Sequence, residues 1–200
     1  MQMVTRTAKA TLLVACLCAL AACSKEADTA PDAAAPAAGS TPAAAEPAVE
    51  KTNAALTADQ IKVDLVSSAE PAYLAADDTV VFQLKLSNKG AVVLPATGGN
   101  PVTVGVIQFA PGKDGKADER GTELRAPLTS DLQPGSAQDV VAVVPAAFVV
   151  DKKVQFEGLQ EGVAWFGYNF SQPVVVLGPF ARCADGKSVC DAAGKPLAAK

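Results

Sequence analysis

Among 200 residues there are five cysteines and no histidine, and these two counts fix most of the chemistry open to the chain. Without histidine, a histidine-based triad, a histidine-bearing zinc site and a histidine pH switch are all ruled out. Cys183 and Cys190 enclose Ala-Asp-Gly-Lys-Ser-Val, with a turn at Asp185-Gly186. Two cysteines around so short a turn are the pattern of a disulfide in an oxidising compartment. Zinc would need about four ligands, and the Cys-x-x-Cys spacing of a redox pair is missing. The adjacent acids Asp77 and Asp78 flank a strand start, where turn formation is their ordinary role. The stretch over residues 111–121 is rich in glycine and lysine but lacks the spacing of a phosphate-cradling loop. Its Asp114, Asp118 and Glu119 lack the spacing of an EF-hand, so it reads as a solvated inter-strand loop. A nucleophile elbow and a dinucleotide-binding glycine pattern are missing too. The chain is expected to be no enzyme and to carry no metal or cofactor.

The remaining cysteine with a chemical role is Cys23. Arg6 and Lys9 precede an uncharged, mostly apolar run over residues 10–22, the layout of a secretory signal. That run is too short to span a bilayer, which takes about 20 apolar residues. It ends in Leu20-Ala21-Ala22-Cys23, which resembles the lipobox of bacterial lipoproteins. Leu13-Val14-Ala15-Cys16 fits the same short pattern but would leave too short an apolar core. The resemblance implies cleavage before Cys23, lipidation of its sulfur and anchoring to a lipid bilayer by acyl chains. Ser24, where aspartate would favour inner-membrane retention, implies the outer membrane, with the body facing the periplasm.

Of the 17 basic residues, Arg6 and Lys9 leave with the signal, so 15 remain against 21 acids, a net charge of −6. An acidic body is repelled by anionic lipid and by nucleic acid, so nucleic acid is not an expected partner. Residues 24–55 hold 13 Ala and 4 Pro and no aromatic residue. Such a stretch buries too little apolar surface to offset its ordering entropy, and its prolines interrupt any helix. It is expected to be a disordered spacer reaching ~100 Å when fully extended.

From Ile61 the pattern alternates with period two. Ile61, Val63 and Leu65 form one set, and Val80, Phe82, Leu84 and Leu86 a second. Val102, Val104 and Val106 make a third, and Val154 with Phe156 a later one. Residues 140–144 are apolar on both faces, as in a strand near the middle of a sandwich. Residues 163–168 and 174–177 complete seven or eight strands, with turns at Asn88-Lys89-Gly90, Gly98-Gly99-Asn100 and Pro134-Gly135. An all-β, immunoglobulin-like antiparallel sandwich follows. The domains are expected as a signal peptide over 1–22, the lipidated Cys23 and linker over 23–55, the sandwich over 56–180, and a tail over 181–200 with a short disulfide loop.

The segments Ser87-Asn88-Lys89-Gly90, Val102-Thr103-Val104-Gly105, Arg125-Ala126-Pro127-Leu128, Leu132-Gln133-Pro134-Gly135 and Gln160-Glu161-Gly162-Val163-Ala164-Trp165-Phe166 carry a second resemblance. Together they are similar to immunoglobulin-like accessory modules of bacterial glycosyltransferases and methyltransferases of polysaccharide synthesis. Such modules hold no catalytic residues, so the likeness implies a binding or interaction role toward a glycan or an envelope protein. Within residues 163–170, period two places Trp165 on one face and Phe166 with Tyr168 on the other. Trp165 is expected as the core anchor, and Phe166 and Tyr168 as an exposed strip for a partner.

Overall fold

Strict alternation makes β3 (Thr79–Asn88) the spine of one sheet: Val80, Phe82, Leu84 and Leu86 are buried, while Lys85 faces water. The computed structural model describes residues 54–200; Cys23, the signal and most of the linker lie outside the described residues. Before β3 come β1 (Val63–Ser67) and β2 (Ala72–Leu74), and after it β4 (Val102–Ala110). A 3-10 turn at Lys113–Gly115 leads to β5 (Glu119–Pro127), then β6 (Ala137–Pro145), α1 (Ala146–Val149) and β7 (Lys153–Gln160). The chain closes with β8 (Ala164–Trp165), α2 (Phe166–Phe170), β9 (Val175–Leu177), β10 (Ala181–Arg182), β11 (Val189–Cys190) and β12 (Ala198–Ala199).

One sheet pairs β3 with β6 along one edge and with β1 and β2, in succession, along the other. The second sheet runs β5–β4–β7, with β8 and β9 sharing the outer edge of β7. Phe82 of β3 meets Phe156 of β7 with ring centroids 4.9 Å apart, which locks the two sheets face to face. The chain crosses between sheets after β3, after β5 and after β6, as an immunoglobulin-like Greek key does. The expected all-β sandwich is the observed fold.

Four local expectations are corrected. Strand β6 lies at the edge of its sheet, with Val141 and Val143 each 54% exposed, so its two-faced apolar pattern marks no central position. Strand β5 begins inside the expected loop; its charged residues lie on an exposed edge, where no apolar alternation is required. The strand expected over 163–168 is cut to two residues, because the chain turns into α2 at Phe166. The stretch 181–200 packs into the sandwich. Val189 is buried in the core and β12 adds parallel to β2, while Phe180 just ahead stacks edge-on against Phe82 at 5.8 Å.

Two buried amides organise the end of the sandwich at which the described chain begins. Asn88 donates from Nδ2 to the carbonyls of Val92 and Leu132 and accepts the Gly90 amide on Oδ1. Gly90 is required there, since a β-carbon would stand 2.5 Å from the Gln60 carbonyl oxygen. Gln160 accepts the Leu56 amide at 2.8 Å and donates to the carbonyls of Ala54 and Asn100. Its side chain thus stands in for a strand partner and fastens residues 54–56, with Leu56 buried in the core.

Candidate functional site

Trp165 and Phe166 pass to opposite faces of the β5–β4–β7 sheet, and a glycine receives each. A β-carbon on Gly105 of β4 would lie 2.1 Å from Trp165 Cζ3, and one on Gly158 of β7 would lie 2.4 Å from Phe166 Cδ2. Gly158 follows the inward alternation of Val154 and Phe156, so Phe166 enters the core and is fully buried. Gly105 faces outward, so Trp165 lies half-buried on the sheet's outer surface. The face assignment read from period two is therefore reversed for this pair. Trp165 is not the core anchor, and Phe166 belongs to no exposed strip.

On the outer surface the guanidinium groups of Arg120 and Arg125, both from β5, each lie 4.7 Å from the Trp165 ring centroid. Arg125 is also bonded to Glu161 at 2.8 Å, and Arg120 to Glu123 at 3.0 Å. Charge and π-face satisfy one another here. The tryptophan ties β8 to β5 across β7 and β4.

Next to it, Glu157 is completely buried yet fully engaged. Its Oε1 accepts Gln155 Nε2 at 3.1 Å, and its Oε2 accepts the Tyr168 backbone amide at 3.0 Å. A carboxylate at the first turn of α2 satisfies a donor that the helix leaves unpaired. Asn169 Oδ1 accepts the Trp165 amide at 2.8 Å, which closes the same turn from within. Gln172 accepts the Val63 amide and binds the end of the segment to β1. This short helix is held from three sides.

The turn so held presents Tyr168, 81% exposed, to solvent. Val174 packs against Gly167, where a β-carbon would stand 2.4 Å from Val174 Cγ1. Val174 is exposed, as are Val163 ahead of β8 and Val176 within β9. An aromatic side chain on a rigid turn, with the exposed Val174 against that turn, has the make-up of a docking surface: large contact area and little conformational freedom to lose. The sequence pointed to Tyr168 but missed Glu157, Arg120 and Arg125. The one signal for them was Gly105, a glycine inside a strand, which marks a close approach by another group.

The expected bridge between Cys183 and Cys190 is present, with Cα atoms 5.2 Å apart. The loop it closes is stiffened by Asp185, which accepts the amides of Lys187 and Ser188 and the Ser188 hydroxyl. These bonds, the Ser188 hydroxyl foremost, hold the Asp185 carboxyl down at about 2. Asp78 accepts Arg182 at 2.6 Å and the Tyr73 hydroxyl at 2.7 Å, which joins this lobe to the β2–β3 turn. Arg182, and next Tyr73, hold the Asp78 carboxyl below the ordinary aspartate value. Asp77 is exposed in that turn. Asp118 is bonded to Lys153 at 2.8 Å, and among the described residues no cluster of three His, Cys, Asp or Glu could hold a metal ion. No helix among them is long and apolar enough to cross a membrane.

No protein-family model matches the chain, and no curated protein matches it. Solved structures give a partial likeness only. A β-glucosidase from Listeria innocua is 15% identical with a TM-score of 0.30, over 52% of this chain and 15% of its own. The sporulation control protein Spo0M from Bacillus subtilis is 12% identical with a TM-score of 0.30, over 57% of this chain and 46% of its own. A β-glucosidase from Kluyveromyces marxianus is 11% identical with a TM-score of 0.31, over 58% of this chain and 14% of its own. The chain thus spans well under two thirds of the length of each.

Proposed function

We propose that this chain is a membrane-tethered, non-catalytic interaction module of a bacterial envelope, whose sandwich docks a protein partner through the edge around Tyr168. The observation that carries the reading is the exposed Tyr168 ring on a turn anchored by the buried Glu157. A carboxylate is costly to bury, and here it fixes the backbone that presents an exposed aromatic. The tether reading rests on Leu20-Ala21-Ala22-Cys23 and the Ala/Pro spacer that follows. The anchor would sit in the outer membrane, as Ser24 implies. A protein fits better than a glycan, because guanidinium groups lie against Trp165 and leave one exposed aromatic ring, with the apolar Val174 against its turn, at this edge.

A photo-reactive phenylalanine analogue placed at residue 168 tests this in living cells. A discrete cross-linked protein, missing when the analogue stands at Thr122 on β5 and competed away by unlabelled chain but not by its Tyr168→Ala form, supports the reading. Identical products from 168 and 122, or cross-links to glycan alone, contradict it.

A further inference from the structure

Among the described residues most strand edges of this sandwich carry a protecting device along their length, and the longest stretch without one lies on β6. The outer edge of β5 is lined with Glu119, Arg120, Glu123 and Arg125. The edge of β2 is covered by β12, and the Val63 amide of β1 is taken by Gln172. The β8–β9 edge is broken into two short pieces by α2. Such coverings, charges and interruptions are the means by which sheets avoid pairing with other chains.

Strand β6 has nine residues and, among the described residues, pairs with β3 alone. The Asn88 amide donates to the Ser136 carbonyl, and the Ala146 amide to the Asp78 carbonyl, at the two ends of this ladder. Antiparallel pairs alternate, so the even-numbered residues of β6 bond to β3, and Asp139, Val141 and Val143 turn their amides and carbonyls outward. Gln138 binds the Thr129 amide and the Thr129 and Ser130 hydroxyls, which covers the first residues of the edge and leaves the rest open. The side chains of that open stretch are apolar apart from Asp139, which Lys85 neighbours at 3.9 Å.

We infer that the occupant of this edge is β6 of a second copy of the chain, paired antiparallel about a twofold axis. With Val141 opposite Val143 of the second copy, all outward backbone groups between them find partners. Four valines then line the outer face of one continuous sheet. On the inner face Val140 meets Val144, and Ala142 meets Ala142 of the second copy. The two Asp139 side chains fall at opposite ends, each beside its own Lys85, so no like charges meet. Self-complementarity of this kind is what a twofold interface demands. One strand edge falls short of the roughly 800 Å² per partner typical of stable complexes, so the pair is weak in dilute solution and gains from confinement of both copies to one surface.

Sedimentation and cross-linking of the purified full chain test the inference without reference to the tether or to Tyr168, so its failure would leave those readings untouched. At the highest attainable concentration, Val143→Cys with a short bis-maleimide should give a dimer well above the level of the unsubstituted chain. Val66→Cys, on the same sheet face but next to the opposite edge, should not. The double variant Val141→Lys, Val143→Lys should keep its melting temperature and sediment as a monomer where the parent shows dimer. Equal cross-linking from residues 66 and 143, or a parent that stays monomeric throughout, would overturn it.

Discussion

Trp165 lies so close over Gly105 that a β-carbon at residue 105 would stand 2.1 Å from the indole Cζ3. The absence of one methyl group on β4 thus decides where the only tryptophan goes and which two arginines flank it. Gly105→Ala is expected to lift the ring and cost about 1–3 kcal/mol, the range for forcing extra volume into a packed site. Trp165→Ala should cost about 1–2 kcal/mol through the two cation–π contacts. Thermal or urea unfolding measures both. A neutral Gly105→Ala, with unchanged tryptophan emission, would show that the ring does not depend on this seat.

The neighbouring aromatics should respond in opposite ways. Phe166→Ala empties a fully buried site and should cost about 3–5 kcal/mol. Tyr168→Ala should stay within about 0.5 kcal/mol of the parent, as exposed substitutions do. A large loss from Tyr168→Ala would mean that the ring supports the fold and is not free to dock.

Much of the sandwich was legible because its central strands bury one face. The alternation in Val80–Leu86 can be satisfied only by a sheet with one side in the core, and Val102, Val104 and Val106 supply the set that faces it. What stayed hidden followed other physics. β5 lies at an edge, where Glu119 to Arg125 need no apolar face. The faces of Trp165 and Phe166 depend on glycines some sixty and eight residues away, Gly105 and Gly158, and no local period encodes that. The exposure of Tyr168 was legible, whereas the carboxylate that positions its turn was not. Glu157 stands in an ordinary alternating strand, and only the tertiary fold brings it to α2.

Gln160 gives a third prediction. Gln160→Leu would leave the Leu56 amide and the Asn100 carbonyl without their partner, at a cost of about 1–3 kcal/mol for buried groups left unpaired. Hydrogen exchange should show early loss of protection at Leu56 while β3 and β7 keep theirs. Uniform loss across all strands would show that the entry segment is no separate unit.

The disulfide lobe should loosen on reduction. In the chain-entropy account its short loop contributes roughly 2.5 kcal/mol. Two open grooves, of about 610 and 560 Å³, flank this lobe and take walls from Asp191 and Ala192, so both should change shape when the bridge opens. Proteolysis after Arg182, Lys187 or Lys195 should quicken under reducing conditions while the strands stay intact. An unchanged cleavage rate would contradict the role given to the bridge.

Acid should act on the same lobe. Asp185 and Asp78 have folded-state values below the ordinary aspartate value of 3.8. Their contribution to stability is therefore complete above that value and is lost as pH falls through the depressed values, for Asp185 down to about 2. Exchange protection of residues 181–190 should decline in that window, and Asp185→Asn should remove part of the decline. Loss of protection on raising the pH would have the wrong sign.

The central claim, a docking sandwich held at a membrane through Cys23, is tested most directly by metabolic labelling with an alkyne fatty acid. The parent chain should be labelled and recovered with membranes, and the Cys23→Ala chain should be neither labelled nor processed at that site. Equal labelling of the two chains, or no label on the parent, would contradict the tether.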